Sequence, residues 1–128
     1  MTDIKVVVGA NFGDEGKGLM TDYFCHQATS KNKSCIVVMS NGGAQRGHTV
    51  NLLDGKRHVF KHFGAGTMVG ADTYCPAEFI LNPMEFVHEY ADLQQLGYRP
   101  LVYVESICRW TTPFDMIINQ IVEAVRDD

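Results

Sequence analysis

Asp14, Lys17 and His48 are a carboxylate, an ammonium and an imidazole within the first half of the chain. Asp14 and Lys17 lie in "VGANFGDEGKGLMT" (residues 8–21), a segment built like a phosphate loop with two parts exchanged. Loops of the form G-x-x-x-x-G-K-[ST] follow the lysine with a magnesium-binding hydroxyl. Here Gly18 follows Lys17, and Asn11 stands where the first glycine belongs. Gly13, Gly16 and Gly18 still let main-chain N–H groups approach an anion, and Lys17 adds a point charge for its oxygens. A carboxylate beside phosphate is repulsive unless a cation or a proton lies between them. Asp14 therefore reads either as a hard oxygen ligand for Mg²⁺ or as a base for a second substrate over the γ-phosphate. Both readings suit phosphoryl transfer to a small molecule. The plain alternative is a tight turn in which Asp14 and Glu15 are solvated acids.

A second glycine loop, "SNGGAQRGHT" (residues 40–49), brings His48. In an open parallel sheet, ligands gather at the carboxyl ends of the strands, so two loops leaving such ends share a crevice. An imidazole there can give a proton or a hydrogen bond to an oxygen gaining charge. The alternative is a surface histidine in a flexible loop. Arg46 reads equally as a solvated loop cation or as a phosphate contact.

The elements that must position these residues follow from periodicity. "IKVVVGA" (residues 4–10) and "CIVVM" (residues 35–39) read as strands buried on both faces. Between them residues 16–27 turn helical, with Leu19, Met20, Tyr23 and Phe24 on one side. That order is a right-handed βαβ unit. Residues 49–63 carry a hairpin signal around Asp54-Gly55. Asn82, Pro83 and Glu85 mark a helix start with a capping box, and Gly97 marks its end. The inner stripe of that helix reads as Phe86, Val87, Tyr90, Ala91 and Leu93. Residues 100–105 are another strand. Thr112, Pro113 and Asp115 open a last helix, with Phe114, Ile117, Ile118, Ile121 and Val125 inward. The expected fold is α/β: a P-loop-like, mostly parallel sheet with flanking helices, as one domain. That last helix has no following strand to pack under, so an incomplete domain, the front part of a longer enzyme, is expected. His58, His62 and His88 read as strand or helix-surface residues, and Trp110 as a packing residue.

Composition narrows the function classes. The chain has 128 residues and a net charge of −4, which gives no basic footprint for nucleic acid. Cys25, Cys35, Cys75 and Cys108 form no C-x-x-C pair, which argues against a zinc site or a disulfide framework. No secretory segment follows Met1 and no apolar run reaches membrane-spanning length, so the expected location is the cytoplasm, with no membrane partner.

"VVVGANFGDEGKGLMTDYF", followed by a strand and "NGGAQRGHTV", resembles the adenylosuccinate synthetase family, strongly over residues 4–50 and loosely beyond. G-D-E-G-K-G and G-H-T about thirty residues apart are the motifs that carry the resemblance. The resemblance implies a homodimeric C–N ligase of AMP biosynthesis that joins IMP to L-aspartate with GTP and Mg²⁺. The purine 6-oxygen is first phosphorylated, and the aspartate amine then displaces phosphate. By position, it implies Asp14 as general base and magnesium ligand, His48 as general acid, Lys17 in the catalytic set, and the Gly47 carbonyl as a second magnesium ligand. Gly13, Asp14, Glu15, Gly16, Lys17, Gly18, Leu19, Gly47, His48 and Thr49 match contacts to GTP. Asp14 to Lys17 and Gln45, Arg46, Gly47 and His48 match the inosinate-binding stretches. Gln45-Arg46-Gly47-His48-Thr49 departs from the family's N-A-G-H-T, which raises the alternative of a phage-type branch that uses (d)GMP to give 2-aminoadenylosuccinate, with Gln45 and Arg46 as the suspects. Retention of Asp14 favours inosinate. The family's downstream loops are absent, so a non-catalytic nucleotide-binding remnant is the other alternative.

Overall fold

Short β-branched runs alternate with longer amphipathic ones. The computed structural model describes residues 3–11, 13–40 and 46–126. Within them the order is α1 (Lys17–Thr29), β1 (Ile36–Val38), β2 (His48–Asn51), β3 (Arg57–Phe60), β4 (Asp72–Cys75), β5 (Ile80–Leu81), α2 (Pro83–Gln95), β6 (Val102–Val104), β7 (Arg109–Trp110) and α3 (Pro113–Arg126). A 3-10 turn at Thr67–Val69 precedes β4.

β1, β4 and β6 form a parallel sheet in the order β1-β4-β6, with Val37, Thr73 and Val102 in register. Thr73 is a polar residue at its buried centre. Its hydroxyl oxygen accepts the Gly64 N–H at 3.0 Å, so neither buried group is left without a partner. β2 and β3 make the expected hairpin, antiparallel and separate from that sheet. Its turn is one residue longer than a two-residue Asp-Gly loop: Leu52 N–H donates to the Lys56 carbonyl at 2.8 Å, and Gly55 takes φ 85°. β5 and β7 form a short parallel pair.

Apolar side chains gather in two clusters joined through Phe86 and Val102. One holds Val50, Phe60, Phe63, Ala65, Met68 and Leu93 under α2. Phe63 stacks on Phe86 and Tyr90 at centroid distances of 4.9 and 6.0 Å, contacts worth about 0.5–1.5 kcal/mol each. The other cluster holds Met39, Cys75, Phe79, Leu81 and Cys108.

α2 begins as the sequence indicates, with the Asn82 side chain accepting from the Met84 and Glu85 amides at 3.1 and 3.2 Å. The capping box is not closed, because Glu85 instead pairs with Lys61 Nζ at 2.8 Å and the Asn82 N–H donates to His62 Nε2. At its end Tyr98 N–H reaches the Leu93 carbonyl and Gly97 N–H reaches Gln94, with Gly97 at φ 94°. That is the doubly bonded left-handed C-terminal motif. Thr112 and Asp115 do close a capping box at the start of α3.

Several expectations are corrected. Residues 4–10 are not a strand, and Ile4, Val6 and Val8 are 78%, 80% and 81% exposed. The first βαβ unit therefore lacks its first strand. β propensity is mostly a preference for a half-buried pleated surface, and this run packs under no apolar layer. α1 buries Gly18 and Cys25, whereas Leu19, Met20 and Tyr23 face outward. On α2, Val87 and Ala91 are exposed and Glu89 takes an inner position. α3 buries no residue, so its apolar stripe faces solvent. His58 and His62 are buried rather than superficial, and Trp110 is exposed.

Candidate functional site

The first loop reaches α1 through a run of unusual backbone conformations. Gly13 has φ 134°, Asp14 φ 53° and Gly16 φ 78°. Such a run turns successive N–H groups toward one concavity. Gly16 stands at the N-cap of α1, and among the described residues no side chain caps the helix. The first-turn amides therefore keep their capacity for an anion, with the positive end of the helix dipole behind them. Asp14 is not glycine, yet it holds a left-handed conformation that costs most residues about 1 kcal/mol or more and Asp somewhat less. Its side chain is exposed and makes no hydrogen bond or ion pair with the described residues.

Glu15 has a structural task. Its carboxylate accepts from the Asn11 N–H at 2.6 Å and pairs with Lys17 Nζ. The Lys17 ammonium, with the Asn11 amide, holds this carboxyl below the usual range. Lys17 thus faces Glu15 here and would have to exchange partners to reach a phosphate.

His48 opens β2, opposite Phe60 on β3. The imidazole reaches the first turn of α1 because Gly18 has no side chain. A Cβ on Gly18 would lie 2.7 Å from His48 Cβ and 2.9 Å from Cγ. Two predicted halves of the site, the helix start and the imidazole, are therefore in contact. Burial, then the charges of Arg46 and Lys17, push the His48 imidazole below its ordinary pKa. That shift favours the neutral ring, which can offer one N–H.

Leu19 and Thr49 are exposed beside this contact, and Gly47 is exposed between Arg46 and His48. The Arg46 guanidinium does not face the loop's solvent side. Nε donates to the Lys61 carbonyl at 2.8 Å, one terminal nitrogen lies 3.2 Å from Met39 Sδ, and the group stands 5.5 Å from the Phe79 centroid. Gln45 lies outside the described residues. For Mg²⁺, the free carboxylate of Asp14 and the exposed Gly47 segment are hard-oxygen donors, and no cluster of three metal-ligating side chains occurs among the described residues. Asp14 and Gly47 each offer a hard-oxygen donor of the kind Mg²⁺ takes beside its waters and phosphate oxygens.

Sequence reasoning missed a buried polar group beneath this site. Glu89, on α2, accepts the Lys61 N–H at 2.9 Å and the His62 N–H at 2.7 Å. His58 Nε2 and His62 Nδ1 face it at 3.5 and 3.4 Å. Burial pushes the Glu89 carboxyl up, but the two imidazoles and the two amides outweigh it and lower it to about 2. The available signal was position: Glu89 lies three residues after Phe86 and four before Leu93, on the helix's apolar face.

Comparison with known proteins agrees with this architecture. The sequence profile of the adenylosuccinate synthetase family matches residues 6–128. The adenylosuccinate synthetase of Picrophilus torridus is 37% identical over 125 residues, covering 98% of this chain and 28% of that protein. Its counterpart from Leishmania infantum is 31% identical, covering 91% of this chain and 16% of that protein. The structure of fully ligated adenylosuccinate synthetase from Plasmodium falciparum superposes with a TM-score of 0.75 at 23% identity, over 92% of this chain and 26% of that one. The chain thus spans about a quarter of the Picrophilus relative's length or less of the others. With its profile match, its relatives and its fold in accord, the chain belongs to the adenylosuccinate synthetase family.

Proposed function

We propose that this chain supplies the phosphate-binding and purine-activating part of a ligase that forms adenylosuccinate from IMP and L-aspartate with GTP. The observation that carries the reading is the contact of His48 with Gly18, which sets an imidazole against an uncapped, glycine-entered helix start. The first-turn amides and Lys17 hold the triphosphate tail. Asp14 takes a proton from the purine as its 6-oxygen attacks the γ-phosphorus and GDP leaves. His48 offers its N–H to that oxygen. The aspartate amine then displaces the phosphate from the purine carbon. Asp14 and the Gly47 carbonyl would hold Mg²⁺, which when bound offsets phosphate charge. Lys17 leaves Glu15 for phosphate as nucleotide binds. Arg46 is committed to Lys61 and Phe79, so this departure from N-A-G-H-T lies in the support of the loop, and the inosinate reading is kept. Cytoplasmic location and a homodimeric whole enzyme belong to the same proposal.

The test is adenylosuccinate formation by a synthetase carrying residues 1–128, with Asp14→Asn and His48→Ala variants. Turnover is expected to fall by about 10²-fold or more in each, as removal of a proton-transfer or charge-stabilising group does. Near-normal turnover in both variants refutes the assignment. The second reading is binding without catalysis. Calorimetry of this chain with GTP, IMP and Mg²⁺ that shows binding, together with no product, selects it.

A further inference from the structure

A carboxylate is an expensive group to bury, and Glu89 is only 6% exposed. Packing alone does not call for it, since a Leu or Met on that face of α2 would fill the space. What the carboxylate supplies is two acceptors side by side. One takes the Lys61 N–H and the other the His62 N–H, twenty-eight and twenty-seven residues away in the chain. A glutamine has one acceptor oxygen and would turn its NH₂ toward one of those amides.

The second of these bonds has a continuation. The His62 N–H belongs to the same peptide group as the Lys61 carbonyl, and that carbonyl accepts Arg46 Nε–H at 2.8 Å. One peptide group is therefore held at its N–H end by an anion and at its C=O end by a cation. Both bonds are charge-assisted, and each polarises the peptide in the sense that strengthens the other. Arg46 is two residues before His48, and Phe60, opposite His48 across the hairpin, is the residue before Lys61. The His48 segment is thus tied on both sides to the stretch that Glu89 grips.

We propose that Glu89 is a positioning residue for His48, acting through the Lys61–His62 peptide and the Arg46 guanidinium. The proposal rests on the reading of His48 as the purine-facing imidazole. Glu89 itself touches no substrate. It fixes where the ring stands against Gly18.

The test is heteronuclear NMR on this chain, with Glu89→Gln and Arg46→Lys variants. Wild type is expected to show an Arg46 Nε–H protected from solvent exchange and one sharp set of His48 ring resonances. In E89Q that proton is expected to exchange at least about tenfold faster and the His48 ring signals to broaden or split, while the Val37 and Tyr74 amides keep their protection. R46K keeps the positive charge and removes the bond. It is expected to loosen the His48 ring while the Lys61 and His62 amides stay protected, which places Arg46 downstream of Glu89. If E89Q does not fold, R46K alone decides. Unchanged His48 resonances in R46K overturn the proposal, as does an E89Q in which the sheet amides lose protection equally. None of these readouts needs nucleotide, so loss of the ligase reading in the turnover assay leaves this result distinct.

Discussion

Asp14 holds a backbone conformation that glycine would hold freely, which puts conformational ease and chemistry in conflict at one position. Asp14→Gly relieves about 1 kcal/mol of strain but adds a similar amount of unfolded-state entropy. Urea unfolding is therefore expected to change by less than about 1 kcal/mol, while the ligase activity proposed above is lost. Gly18→Ala sets two other terms against each other. Alanine gains about 1 kcal/mol as a helix former, but its methyl overlaps the His48 ring, and overlaps of this kind cost about 1–3 kcal/mol. A net loss of about 1 kcal/mol is expected, with the His48 resonances displaced as a direct readout. Glu89 contributes to acid sensitivity. Its carboxyl is lowered from 4.5 to about 2 by folding, so its contribution is complete above 4.5 and is lost as pH falls toward 2. Wild type is expected to lose on the order of 2–3 kcal/mol across that window beyond any loss in E89Q, measured by urea unfolding at a series of pH values.

α2 is the element whose ends the sequence describes best, because both are fixed by local chemistry. Asn82, Pro83 and Gly97 act on amides and carbonyls within a few residues, and the structure uses each as expected. Asn82→Ala should cost about 1 kcal/mol in thermal or urea unfolding, since the Met84 and Glu85 amides lose their acceptor. Faces were harder to read than ends. Val87 and Ala91 look like core residues by type, yet Glu89 takes the inner position, because the partner that makes its burial tolerable comes from Lys61 and His62 on another element. His58 and His62 were misjudged for the same reason. Residues 4–10 show the converse: their β-branched composition is right for a strand, but a ladder forms only where a neighbouring strand and an apolar layer exist. In the site, the loop and His48 were legible as motifs, whereas the Gly18 contact and the inward turn of Arg46 depend on tertiary packing.

The molecule as a whole leaves much apolar surface uncovered. Phe114, Ile117, Ile118, Ile121 and Val125 of α3 are exposed, as are Ile4, Val6 and Val8. Patches of this extent mark association surfaces or aggregation hazards. In sedimentation velocity the isolated chain is expected to self-associate as concentration rises, and Ile117→Glu with Ile121→Glu should suppress this. An unaltered, concentration-dependent profile in the double variant would move the sticky surface elsewhere. One arrangement bears on how the site can change. The acid-bearing loop leads into α1, while His48 rides on the β2–β3 ribbon, which among the described residues shares no hydrogen-bond ladder with the parallel sheet. The approach of the imidazole to the start of α1 is therefore allowed by a shim, the missing side chain at Gly18. On the function proposed above, a thicker or shifted spacer there would retune substrate choice without redrawing a single strand.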